Sequence, residues 1–67
     1  MIIELNGHRA ELPEGATIAD AVKHAGARET RGVAVAVDGD VVRRADWDGT
    51  KLADRQAVEV VRAVQGG

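Results

Sequence analysis

Apolar and polar side chains change their period twice along the chain, and each change marks a different element. Met1-Ile2-Ile3-Glu4-Leu5 is strand-like, and Asn6-Gly7 is the strongest two-residue signal for a hairpin turn. His8 to Leu12 returns with Ala10 and Leu12 on one face and Arg9 and Glu11 on the other. Pro13-Glu14-Gly15 ends this hairpin, because proline has no amide proton to give a ladder and glycine accommodates the turn. The period then becomes helical. Ile18, Ala21, Val22 and Ala25 form one apolar stripe, with Asp20, Lys23 and His24 on the opposite side. Thr17-Ile18-Ala19-Asp20 has the spacing of a capping box with Asp20 in the usual place of Glu, and Gly26 is positioned to stop the helix in a left-handed conformation. A helix of about two and a half turns is marginal by itself, so it must pack on a sheet.

The second half returns to strand periodicity. Val33-Ala34-Val35-Ala36-Val37 is apolar at every position, which predicts a strand with little water on either face. Asp38-Gly39 is a second tight-turn signal, and Val41-Val42 is its short partner strand. Arg43 to Arg55 is polar and irregular, anchored only by Trp47 and Leu52, and Ala57 to Val64 is a valine-rich last strand. The order is β-β-α-β-β-β. A single helix covers only one face of a sheet, so the fold class is α+β. A five-stranded mixed sheet crossed by one helix is the β-grasp, or ubiquitin-like, arrangement. The expected domain spans 1–64, with a flexible tail at 65–67. Ile3, Leu5, Leu12, Ile18, Val22, Val35, Val58 and Val60 are expected to meet in one core between helix and sheet.

Composition removes most kinds of chemistry. A chain of 67 residues buries only about 60% of its unfolded surface, and a substrate pocket of roughly 300–1,000 Å³ would take much of such a core. The chain therefore reads as a protein without its own active site. Cysteine and serine are absent, which removes thiolate ligands, disulfides and the commonest hydroxyl nucleophile. His8 and His24 alone cannot close a zinc site and read as solvated side chains. Nine basic against eleven acidic side chains give a net charge of -2, with Trp47 the lone aromatic. That leaves neither a phosphate-binding footprint nor a stacking surface for nucleic acid. No apolar run reaches the roughly 20 residues of a membrane span and no signal peptide is visible, so a cytoplasmic location is expected.

The last residues carry the functional signal. With glycine at about 7% of residues, two terminal glycines arise by chance in roughly 0.5% of chains, so Gly66-Gly67 is informative once it follows a ubiquitin-like layout. The chain as a whole resembles the thiamine-biosynthesis sulfur carrier (ThiS) family. The resemblance rests on Ile3-Glu4-Leu5-Asn6-Gly7, on Glu14-Gly15-Ala16-Thr17-Ile18 before the helix, and on Gly32-Val33-Ala34-Val35-Ala36-Val37. It continues through Val41-Val42-Arg43-Arg44 with Trp47 shortly after, and ends in Val58-Glu59-Val60-Val61-Arg62-Ala63-Val64-Gln65-Gly66-Gly67, its most specific part. One departure is Ala53-Asp54-Arg55, where the family commonly has a Gly-Asp turn.

The resemblance implies a protein cosubstrate rather than an enzyme. The Gly67 carboxylate would be adenylated by a partner enzyme that uses ATP and magnesium. It would then become a thiocarboxylate that donates sulfur to thiazole formation. The carrier itself binds no cofactor in this scheme. Its implied partners are the adenylating enzyme, a sulfur-donating enzyme and a thiazole synthase. Gly66 and Gln65 would thread a narrow channel, since glycine has no Cβ and passes where other residues clash. Arg62 and Val64, just before the diglycine, are the expected docking residues. Trp47 reads as a packing anchor for its loop and Arg43-Arg44 as a solvated strand end. The same tail also fits the small subunit of a molybdopterin synthase, a ubiquitin-like modifier joined to lysines through Gly67, or an interaction domain with an inert tail.

Overall fold

The computed structural model describes residues 1–27 and 29–62. Its elements run β1 (Ile2–Leu5), β2 (His8–Glu11), α1 (Ile18–His24), β3 (Val33–Val37), β4 (Asp40–Val42), a short 3-10 turn (Arg44–Asp46) and β5 (Ala57–Arg62). The sheet has five strands in the order β2-β1-β5-β3-β4. It is mixed, because β1 pairs with β5 in parallel while every other neighbour pair is antiparallel. β5, last in the chain, therefore lies in the middle of the sheet.

Both hairpin turns take the conformation their residues favour. Asn6 and Gly7 have φ of 52° and 80°, and Asp38 and Gly39 have 49° and 88°, so each pair has both central residues left-handed, as a type I′ turn requires. The helix begins as its sequence predicts. The Asp20 amide donates to Thr17 Oγ1 at 3.4 Å and the Thr17 amide donates to Asp20 Oδ2 at 2.9 Å, which closes the capping box. Gly26, with φ of 87°, follows the C-cap residue Ala25 and ends the helix.

One face of the sheet is covered. Ile3, Leu5, Val35 and Val58 from three strands meet Ile18, Ala21 and Val22 of α1, with Leu12, Ala16, Trp47 and Leu52 completing the buried cluster. Seven of the eight expected core residues are buried. Val60 is the exception, half-buried at the end of the cluster because it lies near the rim where the helix stops.

Two expectations need correcting. β3 is not shielded on both sides: Val35 is buried, but Ala34 is exposed and Ala36 half-buried, since α1 covers only one face. The segment from Arg43 to Arg55 is less irregular than its composition implies. Ile18 N–H donates to Thr50 O at 3.0 Å and Leu52 N–H to Ala16 O at 2.8 Å, so this segment is stitched to the chain around the start of α1. β5 is described to Arg62, and the remainder of the expected strand to Val64 lies outside the described residues.

Candidate interaction site at the end of the last strand

The site is built on β5, the strand that leads to the C-terminus. Its β1 neighbour pairs only as far as Leu5↔Val58, whereas β3 accompanies it to Val33↔Arg62. Successive residues of a strand point to opposite faces, and laterally paired residues share a face. Val58 and Val60 thus point toward the helix, while Glu59 and Val61 point to the uncovered face. Ala34 lies beside Val61, and Ala36 lies between Glu59 and Val41.

This open face carries the molecule's unexplained apolar surface. Val41 is 78% exposed and Val61 56% exposed, and they are the exposed large hydrophobic residues among those described. Single exposed valines are ordinary on a soluble protein. Two of them here share a face with Ala34 and Ala36, so β3, β4 and the end of β5 present a small-residue apolar surface flanked by the Glu59 carboxylate.

Arg62 belongs to the other side. It pairs in register with Val33, and its Nη2 donates to the Glu29 carbonyl at 3.3 Å, while the residue itself stays exposed. Beside it is a recess of about 350 Å³ lined by Asn6, Ala25, Gly26, Ala27, Val33, Val60 and Arg62. Arg62, proposed from the sequence as a docking residue, therefore sits at the rim between helix and sheet rather than on the open apolar face. Val64, Gln65, Gly66 and Gly67 lie outside the described residues.

The remaining candidates are not among the residues that line this recess. His8 and His24 are exposed on β2 and at the end of α1. Trp47 is 4% exposed and its Nε1 donates to the Val42 carbonyl at 2.9 Å, which makes it the packing anchor its sequence context predicts. Arg43 is ion-paired with Asp46 at 3.5 Å, and Arg44 donates to Thr30 Oγ1 at 3.2 Å. Among the described residues no cluster of three or more histidine or carboxylate side chains could hold a metal ion.

Val41 and Val61 were missed by reasoning on the tail alone, although a signal existed. Val60-Val61 breaks the alternation of Val58-Glu59-Val60, and consecutive valines must place one on each face.

The profile of the ThiS family matches residues 2–67. Two solved structures of a thiamine biosynthesis protein from Geobacter metallireducens are similar to the chain at 25% identity. The crystal structure, described as ThiS, superposes with a TM-score of 0.82 over 100% of both chains. The solution NMR structure gives 0.80 over 100% of this chain and 88% of that one. No curated protein matches the chain.

Proposed function

The chain belongs to the ThiS family, and from that premise we propose that it is a sulfur carrier of thiamine biosynthesis whose working group is the Gly67 carboxylate. The observation that carries this reading is the family match across residues 2–67, which includes the diglycine end. A carboxylate is a poor electrophile until it has a good leaving group. One Gly67 oxygen attacks the α-phosphorus of ATP on an adenylating enzyme, pyrophosphate departs, and an acyl adenylate forms. Hydrosulfide delivered by a sulfur-donating enzyme then attacks the acyl carbon, expels AMP and gives up its proton, leaving a thiocarboxylate for a thiazole synthase to consume. The partner supplies magnesium and stabilises the developing charge. The carrier supplies a recognisable body and a slender end.

The body has features that suit this division of labour. The apolar face at Ala34, Ala36, Val41 and Val61 adjoins the last described residues of β5, so a partner seated there lies next to the segment it must take. Arg62 offers a charged contact at the opposite rim. Gln65 and Gly66 are the threading residues.

Intact-mass measurement tests the reading. The protein is incubated with a ThiS-type adenylating enzyme, ATP and a sulfur source. One oxygen at the C-terminus should be replaced by sulfur. Gly67 joined to lysine side chains with no thiocarboxylate would make the protein a modifier instead. Sulfuration followed by transfer to a pterin rather than a thiazole precursor would assign it to molybdopterin synthesis.

A further inference from the structure

The hairpin residue Asn6 does two jobs, and only one of them concerns its own turn. In the parallel pairing of β1 with β5, Glu4 N–H donates to Gln56 O and Asn6 N–H donates to Val58 O, each at 2.9 Å. A parallel ladder continued by one step would have the Val60 amide donate to the backbone carbonyl of residue 6. That step is not taken by the backbone, because Asn6 has a φ of 52° and turns the chain away into β2. The Asn6 side chain takes it instead: Val60 N–H donates to Asn6 Oδ1 at 2.8 Å. The carboxamide stands in for the missing peptide carbonyl and extends the ladder by one rung past the end of β1. Asparagine meets both demands, since it tolerates the left-handed region and carries an acceptor on a short stem.

We infer that Asn6 is a positioning residue for adenylation, holding the outgoing end of β5 so that Arg62, the last described residue, is kept at a fixed point of the body. Val60 is two residues before Arg62 and seven before Gly67. On the β3 side the strand is paired to Arg62, so among the described residues the Asn6 rung is what holds the opposite edge beyond Val58. The inference rests on the carrier reading above. Its consequence is that the Asn6 rung affects how often a docked carrier presents Gly67 productively, and affects docking itself much less.

Two substitutions separate the rung from the turn. Asn6→Gly keeps a residue suited to the left-handed turn but removes the acceptor, whereas Asn6→Asp keeps both. Steady-state adenylation, followed as pyrophosphate release with the cognate adenylating enzyme and ATP, is measured well below the melting temperature. Ile18→Val serves as a destabilised control remote from β5's end. Asn6→Gly should lower kcat on the order of 10-fold with KM for the carrier within about twofold, in line with the sensitivity of rate to small misplacements. Hydrogen exchange at the Val60 amide should accelerate in Asn6→Gly and stay slow in Asn6→Asp, which should also keep near-normal kcat. A normal kcat in Asn6→Gly, an equal loss in Ile18→Val, or failure of Asn6→Asp to preserve the rate would each overturn the inference. A wild-type protein that releases no pyrophosphate would overturn the carrier reading itself, and the positioning role with it.

Discussion

Arg55 occupies a conformation that costs most L-residues energy. Its φ is 70°, in the turn that carries the chain into β5. The neighbouring contacts explain why the turn keeps this shape. Arg55 N–H donates to Ile2 O, Asp54 Oδ1 accepts from Ile2 N–H at 2.7 Å, and Gln56 Oε1 accepts from Ala53 N–H at 2.7 Å. The turn is thus clamped to the start of β1 by bonds that do not depend on the Arg55 side chain. Its ion pair with Asp54, at 3.6 Å between exposed groups, adds little. Arg55→Gly should therefore stabilise the fold by about 0.5–1 kcal/mol, the relief of left-handed strain less the added freedom of the unfolded chain. Urea unfolding checks this, and a lower midpoint would show that the guanidinium matters. Asp20 gives a second residue-level expectation. The Thr17 amide hydrogen bond is the main reason its carboxyl lies below the usual aspartate range; desolvation opposes the shift, and the Thr17 hydroxyl and Lys23 reinforce it. A depressed folded-state value means the contribution is complete above the unfolded-state value and disappears as pH falls through the folded one. The stability gap between wild type and Asp20→Ala should be constant near neutral pH and close below about pH 4. A gap that persists in acid would mean the carboxylate charge is not what stabilises the helix start.

Among the elements, the segment between β4 and β5 is where sequence and structure diverge most. Hairpins and helix were legible because each carries a local code: left-handed pairs at Asn6-Gly7 and Asp38-Gly39, and a cap at Thr17. The 43–56 segment has no local period. Its order comes from partners far along the chain, in the bonds of Ile18 to Thr50 and Leu52 to Ala16 and the burial of Trp47 and Leu52. Such order is invisible to windowed pattern reading. The apolar face of β3 misled for a related reason, since five apolar residues in a row look buried on both sides until the number of covering helices is counted. The same limit applies to the candidate site: Val61 was readable as a break in alternation, but its grouping with Val41 needs the pairing of β3 with both neighbours. Trp47 makes the point measurable. Trp47→Ala should cost on the order of 3–5 kcal/mol, a large part of a small domain's stability. Trp47→Phe, which mainly removes the bond from Nε1 to the Val42 carbonyl, should cost about 1–2 kcal/mol. Equal losses in the two variants would place the energy in the hydrogen bond rather than in packing.

At the scale of the whole molecule, stability and the proposed chemistry are separated along the chain. Among the described residues the fully buried core runs from Ile3 to Val58, while the carboxylate proposed to react is at Gly67. Core variants should therefore act on folding, and tail variants on transfer. Gly66→Ala is the sharpest test, because it adds a single methyl group eight residues beyond the last core position. Away from the core a substitution of this size ordinarily changes folding stability by less than about 0.5 kcal/mol. In a partner channel shaped to bare backbone the same methyl group must displace either the channel wall or the carboxylate. A displacement of about 1 Å can lower the rate on the order of 100-fold, because the attacking oxygen no longer lies in line with the α-phosphorus. The expected result is a melting curve that superposes on wild type together with a severe loss of adenylation, read as pyrophosphate release and as missing thiocarboxylate by mass. Val35→Ala should show the converse, losing about 2–3 kcal/mol of stability while the fraction still folded is adenylated at the normal rate. If Gly66→Ala is sulfurated as fast as wild type, the adenylating site does not require bare backbone before its target, and the diglycine is not the feature the partner selects.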